Sequence, residues 1–451
     1  MHRFLFTTLP WNDLGLLARS LPIARGLAAR GHKIAFSNPA KAPRTLISEA
    51  GFVNLIPEHP IYHLRKLSLS PKGISRLIRS KPWENDGMSA FNFFIKLITA
   101  FPLRFAPQTP EVWDMDHAAA MTGMMNANFV KANCEAFIKL ARRFRPHIIV
   151  DFWNPYACMA AKVMKIPLIT VIQADQHPMA KGFIWWKPHP EKVPSAVPAI
   201  NRVLAAFGVD QITKIEDLNI GDLTLIIGTP ATDPLPVGAR GQYIGPVLWQ
   251  DEKARLPSWF DTLDGEKPII WVYSGNPRYS KKASTLDSEV ILFASIKALA
   301  ELDVHVVLTT GHHSIPEEYL PLPDNFHFAP YLPGLSLAER CDLMIHHGGY
   351  GSCQTGLFTG TPAVIVPTFS ERESNARRIA SLGAGVFILP EVTETGGKKI
   401  AIDKFKEKVT HVLRTPKFRK CAKRYSEHIR SFGGVDMVLD LVEKVANDNV
   451  Y

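Results

Sequence analysis

At 451 residues the chain is too long for one ordinary core, so two domains are expected, and its 46% hydrophobic and 21% charged residues are those of a globular protein. No apolar run reaches the roughly 20 residues that cross a bilayer, and five scattered cysteines without a C-x-x-C pair argue against a disulfide framework or a zinc site and suit reduced thiols. A formal charge of +10 comes without an arginine-rich helix, zinc-finger spacing or an aromatic RNA-binding motif, which turns attention from nucleic acid to anionic ligands or an anionic membrane surface.

Residues 4–8 read as a first strand; the apolar start is too short for a signal peptide. A helix follows over 14–30, with Leu17, Leu21, Ala24 and Leu27 near the helical repeat, and Gly31 stops it before a strand at 32–36. Two more buried strands, 146–151 and 166–171, bracket a helix over 157–165. Strands alternating with helices in this way predict a parallel sheet covered on both faces. From 57 to 125 the alternation lapses. Basic residues (Arg65, Lys66, Lys72, Arg76, Arg79, Lys81) give way to Phe91-Asn92-Phe93-Phe94, Phe101 and Phe105, and then to Met115, Met121, Met124 and Met125. Rigid aromatics and adaptable methionines suit a bulky apolar ligand, with ordinary helix packing as the competing explanation. Proline and glycine then concentrate over 229–267, the composition of a linker, and a second strand–helix series opens at 268–273.

The densest chemistry lies further on. A short apolar strand at 342–345 runs into His346-His347-Gly348-Gly349-Tyr350-Gly351-Ser352, and a helical stretch opens at Gln354. Glycines let a ligand approach the backbone, and the unpaired N–H groups of a first helical turn attract anions. His347 and Ser352 add side-chain donors. The next strand, 363–366, ends in a polar run with Glu371, Arg372 and Asn375. Two neighbouring strand ends, one an anion cradle and the other carrying carboxylates and an amide, suit a phosphorylated sugar.

The run from His347 to Ser352, with Gly360-Thr361-Pro362, Pro367, Asn375-Ala376 and Gly383-Ala384-Gly385, resembles the donor-site signature of family 1 glycosyltransferases. These are the UDP-glucuronosyl- and glucosyltransferase-like enzymes, here in their bacterial natural-product type. Val306-Val307-Leu308-Thr309-Thr310-Gly311 and Tyr331-Leu332-Pro333 extend the likeness upstream, and 25–32 resembles the family's first helix-to-strand junction. The resemblance implies the α/β GT-B fold, in which two Rossmann-like, doubly wound parallel-sheet domains face a cleft. It implies an acceptor-binding domain over 1–235 with a variable insertion at 57–125, a linker over 236–266, a nucleotide-sugar domain over 267–430, and a last helix in 431–451 crossing back to the first domain.

It also implies roles. Ser274 and Gly275, with Asn276, face the diphosphate opposite His347, while Gly349, Gly351 and Ser352 cradle it. Tyr331 and Leu332 belong to the loop whose backbone reads the base. Glu371 and Arg372 replace the Asp-Gln pair that holds the sugar hydroxyls, with Asn375 beside them. Arginine cannot accept a hydrogen bond, so either the sugar is unusual or acidic or Arg372 pairs with the diphosphate. Thr355 stands where relatives often place a ribose-binding glutamate, with Gln354 adjacent.

The family's usual general base is a histidine in the turn after the first strand, and a gapless count from Gly31-His32 puts Leu16 there. Asp13 lies in the same turn, and Asp151 matches the carboxylate that orients the base; helix capping is the competing role for each. His177 is held in reserve. Trp11, Asn12, Phe93 and Phe94 are acceptor-side candidates. Asp114-Met115-Asp116 spells the D-x-D of the other glycosyltransferase fold but follows no clear strand, so chance explains it. Neither a metal nor a cofactor is expected, because a helix N-terminus neutralises the leaving diphosphate in GT-B enzymes. The expected activity is inverting transfer from a nucleoside-diphosphate sugar to a hydroxyl of an apolar small-molecule or lipid acceptor. Its setting is the cytoplasm, with peripheral contact to an anionic membrane at its inner face. Two competitors stand beside it: a non-catalytic, transferase-like subunit that binds nucleotide sugar or stabilises a partner, and a nucleotide-sugar epimerase on the same fold.

Overall fold

The computed structural model describes every residue except 11–13, 58–74, 76–78, 80, 86, 110, 251–253, 264, 276–288, 312, 395–396 and 449–451. Two parallel sheets organise it, of seven and six strands. The first takes β1 (Arg3–Thr8), β2 (Lys33–Ser37), β3 (Val53–Asn54), β4 (Ile148–Phe152), β5 (Leu168–Ile172), β6 (Leu223–Ile227) and β7 (Gln242–Gly245) in the order β3-β2-β1-β4-β5-β6-β7. The second takes β8 (Ile269–Tyr273), β9 (His305–Thr309), β10 (Phe326–Phe328), β11 (Leu343–His346), β12 (Ala363–Ile365) and β13 (Gly385–Phe387) in the order β10-β9-β8-β11-β12-β13. Both orders reverse direction beside their first strand. Doubly wound sheets bind ligands in the crevice at such a switch point, so β1/β4 and β8/β11 are where a site should lie. The expected GT-B architecture of two Rossmann-like sheets is observed.

Period-two alternation builds the cores. In β1, Phe4 and Phe6 point into one cluster and Leu5 into the other; in β8, Ile270 and Val272 oppose Trp271. Helix α1 (Gly15–Ala29) covers one face of the first sheet, with α2 (Lys41–Glu49) after β2. In the stretch where alternation lapses, α3 (Ala90–Ala100), α4 (Met115–Ala120) and α5 (Ala127–Phe144) appear. Helix α6 (Pro155–Met164) links β4 to β5, and α7 (Val197–Ala206) follows β5. The second sheet is wrapped by α8 (Glu289–Leu299), α9 (Gly334–Glu339), α10 (Tyr350–Thr359), α11 (Ser370–Ser381), α12 (Ile402–Arg414) and α13 (Pro416–Arg430).

The last helix, α14 (Gly434–Asp448), buries Val438, Leu439, Val442 and Ala446 in the cluster beneath α1. A Cβ on Gly26 of α1 would stand 2.5 Å from a methyl of Leu439, so a larger residue there requires the Leu439 side chain to shift. Arg30 reaches Asp440 and Glu443 at 2.7 Å each. The proline- and glycine-rich stretch read as a linker is partly sheet: β7 pairs in parallel with β6 as the edge strand. Edge positions tolerate such composition because half their backbone groups need no partner in the ladder.

The D-x-D look-alike is used for capping. Asp114 caps α4 through the His117 N–H at 2.8 Å, and Asp116 accepts from the Ala196 and Val197 N–H groups at 2.8 and 3.2 Å. Against them sits buried Glu216, which accepts from the Met115 N–H at 3.1 Å and is pushed up to about 7, mainly by burial and further by Asp114. A carboxyl raised on folding contributes stability that is present below its unfolded value and is lost as pH rises through its folded one. Glu216→Gln is therefore expected to raise the thermal midpoint at pH 8 by roughly 2–4 °C and to leave it unchanged at pH 5. A lower midpoint at pH 8, measured by scanning calorimetry, would show that the ionised carboxylate is favourable there.

Candidate active site

At the second sheet's switch point, β11 ends at His346 and α10 starts at Tyr350, four residues before the expected Gln354, with Gly349 as its N-cap residue. Glycine is accepted at that position, and no propensity signal announces a helix whose first turn is Tyr-Gly-Ser. Ser352 and Cys353 donate to the Gly349 carbonyl at 3.0 and 3.1 Å. The first turn is thus formed by Tyr350, Gly351 and Ser352, and a Cβ on Gly351 would meet nothing within 4 Å. Gly348 holds φ +86°, and a Cβ there would stand 2.7 Å from the Arg372 carbonyl.

The His347 ring is wedged between glycines from both strand ends. A Cβ on Gly275 (φ +82°) would be 2.7 Å from its Nδ1, and one on Gly349 2.5 Å from its Nε2. Tyr273 meets the ring edge-on at 5.7 Å between centroids. His347 Nδ1 is buried without a hydrogen-bond partner, as is the Ser274 hydroxyl. Burial first, then Arg372 and His346, hold the His347 imidazole well below the ordinary histidine range. His346, fully buried, accepts from the Gly348 N–H at 3.1 Å and is pushed down to about 3 by burial. Both rings are therefore neutral at physiological pH.

Beside them, α11 presents Glu371 and Arg372 in its first turn. Asn375 Nδ2 donates to the Gly348 carbonyl at 3.0 Å and to Glu371 Oε1 at 2.8 Å, tying the β12 end to the β11 end. Glu371 is pushed up to about 7, mostly by burial and then by Asp175. Arg372 donates to Thr368 Oγ1 at 2.6 Å. Thr355 is turned back to the Gly351 carbonyl at 2.9 Å. Tyr331 is part-exposed at the end of the loop after β10, whereas the Leu332 side chain is buried in the core, leaving only its backbone for a ligand. Asn276 lies outside the described residues.

The first sheet's switch point differs from its expected form. Trp11, Asn12 and Asp13 lie outside the described residues. Leu16 packs in the core beneath α1. Asp151 is wholly buried: Thr7 Oγ1 and Cys158 Sγ donate to it, and both its oxygens accept from the Asn154 N–H at 3.1 and 2.9 Å. It ties β1 to β4 and to the start of α6, and burial pushes it up to about 6. His177 is spent on structure, its Nε2 paired with the Arg240 carbonyl at 3.0 Å and its Nδ1 accepting from the Met179 N–H at 3.1 Å. That removes it as a reserve base. Phe93 is fully buried with Leu97, against Trp83 and half-buried Phe94, so it is packing rather than a ligand wall. An apolar recess does open beside the switch point, lined by Leu9, Pro10, Thr122, Met124, Trp153 and Tyr156 among others. Trp153 takes φ +61° to stand there.

The C-terminal-domain family of erythromycin biosynthesis protein CIII-like proteins matches residues 294–433. A 4'-demethylrebeccamycin synthase from Lentzea aerocolonigenes is 31% identical over 187 residues, 42% of this chain; the chain spans only 40% of that relative's length. An uncharacterized UDP-glucosyltransferase, YojK of Bacillus subtilis (strain 168), is 26% identical over 403 residues, 82% of this chain and 94% of its own. The glycosyltransferase VinC in complex with dTDP superposes with a TM-score of 0.65 at 17% identity, covering 99% of this chain and all of VinC. By these likenesses the chain resembles the family 1 glycosyltransferases of the natural-product type. Its fold is GT-B.

One part of this candidate site was not foreseen from the sequence. Where its two sheets meet, Tyr350 donates to the Ile227 carbonyl at 2.9 Å, and Gln354 Nε2 to Asp233 at 3.3 Å. Arg378 pairs with Asp233 at 3.3 Å, and the Arg19 guanidinium lies 5.3 Å over the Tyr350 ring. Trp185 Nε1 and the Val112 N–H donate to Ser374 and Ser370 of α11 at 3.0 and 2.6 Å. Asp175 is buried nearby with neither oxygen hydrogen-bonded. Burial pushes Asp175 and Asp233 up, and Arg378 opposes it in both. The elements that carry the anion cradle and Glu371 are thus the ones that touch the first half. Single acids in proline-rich loops carry no spacing signal, so nothing in the sequence pointed to this cluster.

Proposed function

We propose that the chain transfers a sugar from a uridine or thymidine diphosphate to a hydroxyl of an apolar acceptor, with inversion. What carries the reading is the neutral His347 ring, with its unpartnered Nδ1, held between Gly275 and Gly349 at the mouth of α10. The diphosphate lies over Gly349, Gly351 and Ser352, where helix N–H groups and the positive end of the dipole stabilise it more as it leaves. Ser274 and His347 donate from the side. Glu371 and Asn375 take the sugar hydroxyls, and Arg372, next to His347, turns from Thr368 toward the diphosphate. Tyr331 and the Leu332 backbone flank the base. The nucleoside choice is supported by two similar proteins, one a UDP-glucosyltransferase and one bound to dTDP.

The acceptor enters from the first half, residues 1–235, through the recess by Leu9 and Met124. It reaches the sugar from the side opposite the diphosphate, the geometry of inversion. Asp13, three residues past Pro10 of the recess, takes the proton from the attacking hydroxyl, with Trp11 and Asn12 beside it. Asp151 is a positioning residue that fixes the strand end before this turn. The reaction belongs to the cytoplasm, where nucleotide sugars are made.

The deciding experiment is calorimetry of UDP and dTDP binding. His347→Ala is expected to weaken both by about 1–3 kcal/mol, the order of a hydrogen bond to a charged group. The loss should be the same at pH 6.5 and pH 8.5, because the ring is neutral at both. Unchanged affinity in a folded variant would overturn the placement of the diphosphate.

A further inference from the structure

Helix α3 is apolar on both faces, and among the described residues only one is covered. Phe93, Leu97 and Ala100 pack inward, toward α5, while Phe91 (73% exposed), Ile95 (44%) and Ile98 (71%) share the other face at helical spacing. The chain beyond continues the same surface with Leu103 (81%) and Phe105 (53%). Lys96 and Arg104 stand exposed among these side chains, and from Gly87 to Pro110 the sequence holds no acidic residue. Between 58 and 110 there are eight lysines and arginines against three acids, a balance of +5 within a total of +10. Of the basic stretch expected to meet a membrane, Arg79 and Lys81 are described and exposed; Arg65, Lys66, Lys72 and Arg76 lie outside the described residues.

We infer that this face is a docking surface for an anionic lipid bilayer, with Ile98, Leu103 and Phe91 entering the headgroup boundary and Lys96 and Arg104 on the phosphates. Large apolar side chains with Lys96 and Arg104 among them and no acid from Gly87 to Pro110 are complementary to anionic lipid. Two copies of a patch this positive repel each other, which argues against a homodimer through it. Position strengthens the case. The Leu103 and Arg104 N–H groups both bond Asn126 Oδ1 at 3.1 Å, the Ala106 N–H bonds the Ala120 carbonyl at 3.1 Å, and the Phe105 ring abuts Gly123. Ala119, Thr122 and Met124 line the recess. The docking face is therefore fastened to the wall of the acceptor recess, so an acceptor held in or on the bilayer arrives beside its pocket. Only this delivery step rests on the transferase reading; the docking does not.

The test is flotation of the full chain, at low and high salt, with vesicles of phosphatidylcholine alone and of phosphatidylcholine mixed with phosphatidylglycerol. Wild type is expected to float with the anionic vesicles at low salt and to be released by high salt. Lys96→Glu/Arg104→Glu and, separately, Ile98→Ser/Leu103→Ser should each lower that binding by roughly tenfold, with UDP and dTDP affinity unchanged. Equal binding to both vesicles, or binding unaltered in both variants, overturns the proposal. So does a wild-type dimer by light scattering that the Ile98→Ser/Leu103→Ser variant converts to monomer, since the face would then belong to a second copy. Loss of vesicle binding leaves His347-dependent nucleotide binding intact, and failure of the latter leaves vesicle binding intact, so the two readings fail separately.

Discussion

Asp13→Asn is expected to lower sugar-transfer turnover by roughly two orders of magnitude or more, while nucleotide affinity stays as it was. The substitution keeps the side chain's size and removes the carboxylate proposed to take the proton. Other groups near the first switch point are engaged elsewhere. Leu16 is core packing, His177 has both ring nitrogens hydrogen-bonded, and Asp151 is enclosed by Thr7, Asn154 and Cys158. Turnover of Asp13→Asn, Asp151→Asn and His177→Ala, measured with one donor and one acceptor, separates the roles. Near-normal turnover of the first would remove Asp13 as base. Should none of the three matter and no acceptor be glycosylated, a non-catalytic nucleotide-sugar-binding subunit becomes the better reading.

Arg378→Met should cost about 3–5 kcal/mol of stability, the order seen when one partner of a buried ion pair is removed. The loss arises because Asp233 and Asp175 would face burial without their main compensating charge. Calorimetry of the variant should show the two halves melting further apart, since Arg378 is on α11 and both acids are in the first half. Adding Asp233→Asn should recover part of the loss, because the orphaned charge is then gone. Wild-type stability in the single variant would mean that water or Arg19 already compensates these acids.

The two sheets were legible because buried parallel strands write themselves as short apolar runs, and those at 4–8, 146–151, 268–273 and 342–345 recur within two residues of β1, β4, β8 and β11. The glycine-rich half of the candidate site was legible for a related reason. Glycines at 348 and 349 are demanded by positive φ and by the closeness of His347, requirements that leave a mark in composition. What escaped was set by tertiary contact alone. The edge strand β7 hid in a proline- and glycine-rich stretch, α10 began inside a glycine run, and Phe93 looked like a ligand wall until Trp83 was found against it. The Asp175–Asp233–Arg378 cluster joins residues far apart in the chain, and no local pattern announces such a meeting.

Helix α14 bears on how such a chain can be recombined. It is the last helix in sequence but belongs by packing to the first sheet, with Leu439 seated against Gly26 and Arg30 pinned to Asp440 and Glu443. The proposed donor-binding unit is therefore not everything downstream of the Pro–Gly stretch. A chimera that takes a foreign C-terminal half through to its end brings in a helix shaped for another protein's α1, and any side chain larger than hydrogen at position 26 meets it. The natural crossover points are two, one before β8 and one between α13 and α14, so that the exchanged module is excised from the middle of the chain.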